Sequence, residues 1–171
     1  MRKYVLLTIL LFAVGATAQA QRFALIDMEY ILQNIPAYEE ANTQLDEASK
    51  QWQAAVDKVN GEAKSLYETY QTKASTLTDA QRKKQEEAII AKEKEAANLR
   101  QQYFGNDGEM YKKQQELMQP IQDQIYEAVK EIAEQKGYSA VIDRASAMSL
   151  IFASPDIDIS DEVLARLGYS N

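Results

Sequence analysis

Between Tyr38 and Leu77 the apolar residues recur at intervals of three and four, and almost everything between them is polar. Tyr38, Ala41, Leu45, Ala48, Trp52 and Ala55 open the series. After a four-residue step from Trp52 to Val56 it resumes at Val59, Ala63, Leu66, Tyr70 and, after Lys73 in the next position, Leu77. One narrow apolar seam on a long polar helix is the signature of a coiled coil, because only a stripe of that width can be covered by a second helix. The extra four-residue step is a stutter, which locally unwinds the supercoil. At 1.5 Å per residue, a helix from Pro36 to Leu77 extends roughly 60 Å, longer than a compact domain of this mass needs.

Where that helix stops and returns is also written locally. Thr78 followed by Gln81 is a capping box, with Asp79 favourably placed for the helix dipole. This predicts a hairpin tip near residues 75–81. A second helix is expected from Asp79 to about Lys136, with Gly137 as its C-cap and a bend at Pro120. Its seam is weak between Gln81 and Arg100 and strengthens at Leu117, Ile121, Ile125, Ala128 and Ile132. Folding at Thr78 sets Trp52 and Phe104 at equal distance from the tip, which predicts that they pack. Gly105-Asn106-Asp107-Gly108 reads as a kink or soft joint, and Asn60-Gly61 as a flexible point. Pro36 suits the first position of the long helix, where its missing N–H costs nothing.

The segments flanking the hairpin have a different character. Phe23-Ala24-Leu25-Ile26-Asp27 reads as a buried strand, followed by a helical stretch from Met28 to Ile35. Tyr138 to Asp143 and Ser149 to Ala153 read as two more strands. Asp158-Ile159 is expected to add a brief edge pairing, and Ser160 to cap a last helix through Leu167. The expected architecture is mainly α with a small β body: residues 21–37 and 115–171 form the body, and 38–114 form an inserted hairpin arm. Phe23, Leu25, Ile26, Val141, Ile142 and Ile151 are the candidate core of that body. So few short strands leave open edges and little core in a monomer, which points to closure against identical copies.

The first 20 residues read as a signal peptide, with Arg2 and Lys3, an apolar run from Tyr4 to Val14, and A-x-A patterns ending at Ala18 and Ala20. That run falls short of the ~20 apolar residues a membrane span needs. Cleavage after Ala18 or Ala20 would leave 17 basic and 26 acidic residues. Bulk nucleic-acid binding is excluded on that balance, since phosphate neutralisation needs a basic surface. The chain has no histidine and no cysteine, which removes Ser-His and Cys-His nucleophiles and soft-metal sites. No phosphate-binding loop occurs, and no cofactor is expected. Asp27 and Asp143 each end a strand and are read as caps rather than as an acid–base pair. The expectation is a protein that is not an enzyme.

Charge is unevenly placed. Residues 64–100 carry eight basic and six acidic side chains, whereas the rest of the expected mature chain is strongly acidic. Arg82-Lys83-Lys84 at the tip is the sharpest cationic feature and the candidate contact for an anionic partner. Tyr67 and Tyr103 are candidates to face a bound chain.

The whole arrangement resembles the Skp/OmpH family of periplasmic chaperones over residues 21–171. The resemblance rests on Phe23-Ala24-Leu25-Ile26-Asp27-Met28 continuing to Ile35-Pro36-Ala37, and on the tip from Leu77 to Glu87. Ile121 to Val129, Tyr138 to Asp143, and Asp158 to Leu164 complete it. It implies a jellyfish-like homotrimer in the periplasm, with a β-rich trimerisation hub and three helical-hairpin arms around a cavity. It further implies an ATP-independent holdase for unfolded outer-membrane proteins, binding through many weak contacts along the arms; Arg82, Lys83 and Lys84 are candidate arm-tip client contacts on the charge pattern alone. Contact with membrane lipid or lipopolysaccharide is less expected here, because the best-known members are basic and this chain has a pI near 4.8. The competing reading is a structural coiled-coil envelope protein, or an adaptor docking through its hairpin tips.

Overall fold

Three apolar residues in succession, Ala24, Leu25 and Ile26, form a strand buried on both faces, and such a strand needs partners on both edges. In the computed structural model, which describes residues 22–147 and 149–169, β1 (Arg22–Ile26) has them. One edge pairs in parallel with β2 (Tyr138–Asp143), in the register Ala24↔Val141, Leu25↔Ile142 and Ile26↔Asp143. On the other edge, Leu25 makes an isolated parallel bridge to Asp158, and its carbonyl accepts the Ile159 N–H at 2.9 Å. The short edge pairing expected at Asp158-Ile159 is therefore present.

Among the described residues five α-helices accompany these strands: α1 (Met28–Gln33), α2 (Pro36–Lys73), α3 (Asp79–Phe104), α4 (Glu109–Lys136) and α5 (Ser160–Leu167). The described residues divide into two compact units, one drawn from those up to Asn34 and those from Ile125 onward, the other Ile35–Gln124. Helix α4 contributes residues to both.

In the first unit, Asp27 caps α1 by accepting the Tyr30 N–H at 2.9 Å. Helices α1 and α5 pack together. The buried side chains are Ala24, Leu25, Ile26 and Ile31, with Ile125, Ala128 and Ile132 from α4 and Ile159, Val163 and Leu164 at the other end. Gly137 closes α4 with a φ of +69°, a left-handed conformation that glycine adopts without cost.

The second unit is an antiparallel helical hairpin of α2 against α3, continued by α4 as far as Gln124. Pro36 occupies the first turn of α2, as its missing N–H allows. Buried positions on α2 are Ala41, Leu45, Ala48, Val56, Val59 and Ala63, so the seam and its stutter at Trp52–Val56 are real. Helix α2 runs unbroken through Gly61: an exposed glycine lowers helix propensity without breaking a helix whose other face is packed. The turn consists of a 3₁₀ turn at Ala74–Thr76, extended Leu77, and the full Thr78–Gln81 capping box.

Three further expectations are corrected. Ser149–Ala153 is not a strand: Leu150 N–H bonds the Ala147 carbonyl in a local turn, and both edges of β1 are already occupied. Ser160 is the first residue of α5 and not its cap, because its hydroxyl is used elsewhere in the unit. The second arm helix is not continuous to Lys136; it is interrupted at Gly105–Gly108. It does continue through Pro120. The expected signal peptide and its cleavage positions lie outside the described residues.

Candidate functional site

No helix among the described residues is long and apolar enough to cross a membrane, and no acidic cluster there could hold a metal ion. The two strand-ending carboxylates, Asp27 and Asp143, are both engaged by neighbouring groups. Asp27 Oδ1 caps α1, while Oδ2 accepts from Arg144 Nε and Nη2 at 3.0 and 2.7 Å. Capping by the Tyr30 N–H, then the Arg144 guanidinium, lowers the Asp27 pKa below the usual carboxylate value. Arg144 also reaches Asp158 at 3.3 Å. Ser160 Oγ accepts the Asp27 N–H at 2.8 Å and donates to Asp158 Oδ1 at 2.6 Å. Asp143 Oδ1 accepts the Met28 and Ala145 N–H groups. Asp27, Tyr30, Arg144, Asp158 and Ser160 line a shallow cavity of about 260 Å³, but they are tied to one another, and the arrangement is a structural lock.

The hairpin tip is built for closure as much as for contact. Arg82 Nη2 donates to the Ala74 carbonyl at 3.3 Å, stitching α3 to the end of the outgoing limb. Tyr70 donates its hydroxyl to Glu86, and that carboxylate raises the tyrosine's pKa. Of the three cationic residues singled out in the sequence, Arg82 is thus partly a structural tie. Lys83 and Lys84 are exposed, and neither has an acidic partner within 4.0 Å among the described residues.

A signal missed in the sequence lies at Ile89-Ile90. Adjacent residues on a helix point about 100° apart, so two consecutive isoleucines cannot both face one narrow seam. Ile89 is buried against the hairpin, and Ile90 is 50% exposed. Lys83, Glu87, Ile90 and Lys94 follow at intervals of four, three and four residues and therefore share one face of α3, in which Lys83 and Lys94 flank Ile90. Lys92, on a different face, is engaged by Glu62 at 2.8 Å and Glu95 at 2.9 Å, contacts that raise its pKa. Leu66 and Tyr67 on α2 are also substantially exposed. Tyr103 is not available in that way: it stacks on Trp52 with ring centroids 5.4 Å apart and planes 9° apart. The expected Trp52–Phe104 contact is accordingly corrected by one residue. The seam of α3 runs Ile89, Lys92, Ala96, Leu99, Tyr103, and helical phase selects Tyr103 over its neighbour.

In the first unit, the candidate core residues separate into two groups. Leu25 and Ile26 are buried, and Val141 is half-buried. Phe23 is 46% exposed and Ile142 41%, both on paired strands. Ile151 is fully exposed and its neighbour Phe152 83% exposed. The single chain does not bring Ile151 into its core. Among the described residues nothing pairs with the outer edge of β2.

Residues 22–167 match the family of OmpH-like outer membrane proteins, nearly the whole described chain. The chain belongs to the OmpH-like family. Curated relatives of this OmpH-like chain include the chaperone protein Skp of Yersinia enterocolitica, 28% identical over 158 residues, spanning 92% of this chain and 93% of the relative. Skp of Photorhabdus laumondii is 28% identical over 151 residues, covering 88% of each chain. Skp of Pectobacterium atrosepticum is 28% identical over 149 residues, covering 86% and 88%. Among solved structures, an OmpH-like protein from Caulobacter crescentus superposes with a TM-score of 0.68 at 16% identity, covering 86% of this chain and 83% of its own, a likeness of fold. These OmpH-like relatives are named as chaperones, not as enzymes.

Proposed function

We propose that this protein is an ATP-independent holdase of the periplasm that keeps unfolded outer-membrane proteins soluble. The observation that carries the reading is the exposed Lys83–Ile90–Lys94 face of α3. It offers cationic and apolar contacts side by side on a long surface, where an unfolded chain gains many weak interactions and no single pocket is needed. The arms act in a homotrimer joined through a β-rich hub. The fully exposed Ile151, the adjacent Phe152 and the unpaired edge of β2 support that assembly, since apolar side chains and open strand edges in one small unit favour association. Leu77 is half-buried and the tip is otherwise polar, so no apolar docking patch favours an adaptor.

The test is dilution of a urea-unfolded outer-membrane β-barrel into buffer, with and without the purified protein, across a range of salt and without ATP. Suppressed light scattering at near-stoichiometric trimer is expected, with Ile90→Ser weakening it at all salts and Lys83→Gln/Lys94→Gln weakening it most at low salt. Unchanged scattering at every salt overturns the reading. Sedimentation equilibrium is expected to give a trimer at micromolar concentration, and a monomer there overturns the assembly.

A further inference from the structure

The glycine-rich interruption of the hairpin invites description as a hinge, but its geometry is that of a clamped joint. Backbone hydrogen bonds run through it: Gly105 N–H to the Gln101 carbonyl at 2.9 Å, Gly108 N–H to the Gly105 carbonyl at 2.9 Å, and Lys112 N–H to the Gly108 carbonyl at 3.1 Å. Gly108 is buried, and a methyl group placed on it would lie 2.8 Å from the Tyr103 carbonyl oxygen and 2.9 Å from that of Gln102. A methyl group on Gly105 would collide with the Gln101 carbonyl. Both glycines are therefore present because the backbone is wound tightly upon itself there, which is the opposite of slack.

The aromatic residues supply the clamp. Tyr103 lies flat on Trp52, and Phe104 meets Tyr103 edge-on at 6.4 Å and 76°. Trp52 is also where the seam of α2 takes its extra four-residue step to Val56. Each limb of the hairpin thus has its irregularity at the same level. A stutter on one helix shifts the direction in which its seam points. A straight, uninterrupted partner would lose that seam beyond the step, and a helix that stops and restarts can meet it again.

We infer that Trp52, Tyr103, Phe104 and the Gly105–Gly108 segment form a fixed register joint, which resets the phase of the returning helix to match the stutter of α2. The joint holds the exposed Lys83–Ile90–Lys94 face at a set rotation relative to residues 109–124. Bending of the hairpin is not located there.

Amide hydrogen exchange on the intact wild-type protein tests this directly. The amides of Gly105, Gly108 and Lys112 are expected to exchange at least about a hundredfold more slowly than in an unstructured chain. Faster exchange at these three amides identifies a loose hinge and overturns the inference. Trp52 is the only tryptophan in the chain, so its near-ultraviolet circular dichroism reports the stack. Gly108→Ala is expected to abolish most of that signal, while Gly61→Ala, at a position with open space around it, leaves it unchanged. An unchanged Trp52 signal in Gly108→Ala also overturns the inference, and if that variant does not fold, the wild-type exchange rates decide.

Discussion

The two units of this chain are held together by different kinds of interaction. In the unit containing β1 and β2, the ties join residues far apart in sequence: Asp27 with Arg144 and Ser160, Met28 with Asp143, Lys136 with Glu162, and Arg166 with Glu131. In the hairpin, the side-chain ion pairs are mostly between neighbours on one helix, such as Lys50–Asp46 and Lys112–Glu109. There the cross-limb connection comes chiefly from a seam of alanines, valines and isoleucines, with a few polar ties near the tip. The first unit depends on particular groups meeting. The hairpin depends on a pattern repeated many times, which tolerates the loss of any one member.

That contrast can be broken by substitution. The largest effect is expected from Ile31→Ala, which empties a fully buried site in the first unit and should cost ~2–5 kcal/mol in urea unfolding followed by circular dichroism. Ile89→Ala in the hairpin seam should fall at or below the lower end of that range, because two helices can close on a small gap. An equal or larger cost for Ile89→Ala would remove the distinction.

Next comes Asp27→Asn, which keeps a capping side chain but loses the charge facing Arg144, at a cost of about 1 kcal/mol at neutral pH. Because folding lowers the Asp27 pKa, its contribution is present above the ordinary aspartate value near 3.9 and is lost as pH falls through the folded value. The wild type should therefore weaken on acidification more steeply than Asp27→Asn, read from unfolding midpoints taken at a series of pH values. Gly61→Ala should stabilise the hairpin by ~0.5–1 kcal/mol, since the position is helical and open. The smallest effect is expected from Lys92→Gln, whose partners are solvent-exposed; its melting temperature should stay close to wild type.

The parts of the fold that were legible in the sequence are those specified by neighbours along the chain. The Thr78–Gln81 box, Pro36 at a helix start and Gly137 beyond a helix end each state a local geometry in their own residue types. What could not be read depends on distant partners. Ser149–Ala153 has strand composition, yet a strand exists only as part of a ladder, and nothing in those five residues says that β1 is already paired on both edges. Ser160 looked like a cap until Asp27 and Asp158, far away and nearby in sequence, engaged its hydroxyl. The choice of Tyr103 over Phe104 was within reach, since the spacing from Ile89 through Ala96 and Leu99 leads to it. The exposed Lys83–Ile90–Lys94 face was equally available in the Ile89-Ile90 doublet. Arg82 was correctly placed at the tip, but its tie to the Ala74 carbonyl depends on the 3₁₀ turn.

The parallel pairing of β1 with β2 has a consequence for the order in which the molecule acquires its structure. More than a hundred residues separate Leu25 from Ile142, its partner in the ladder. The entropy of closing so long a loop must be met before the pairing returns anything, whereas α2 and α3 meet across a tip of a few residues. The hairpin can therefore form early, while Ala24, Leu25 and Ile26 remain unpaired and adhesive until Tyr138–Asp143 reaches them. A refolding experiment should resolve a fast helical phase followed by a slower one reporting the strands. During that interval the chain's own first strand is the segment most prone to aggregate.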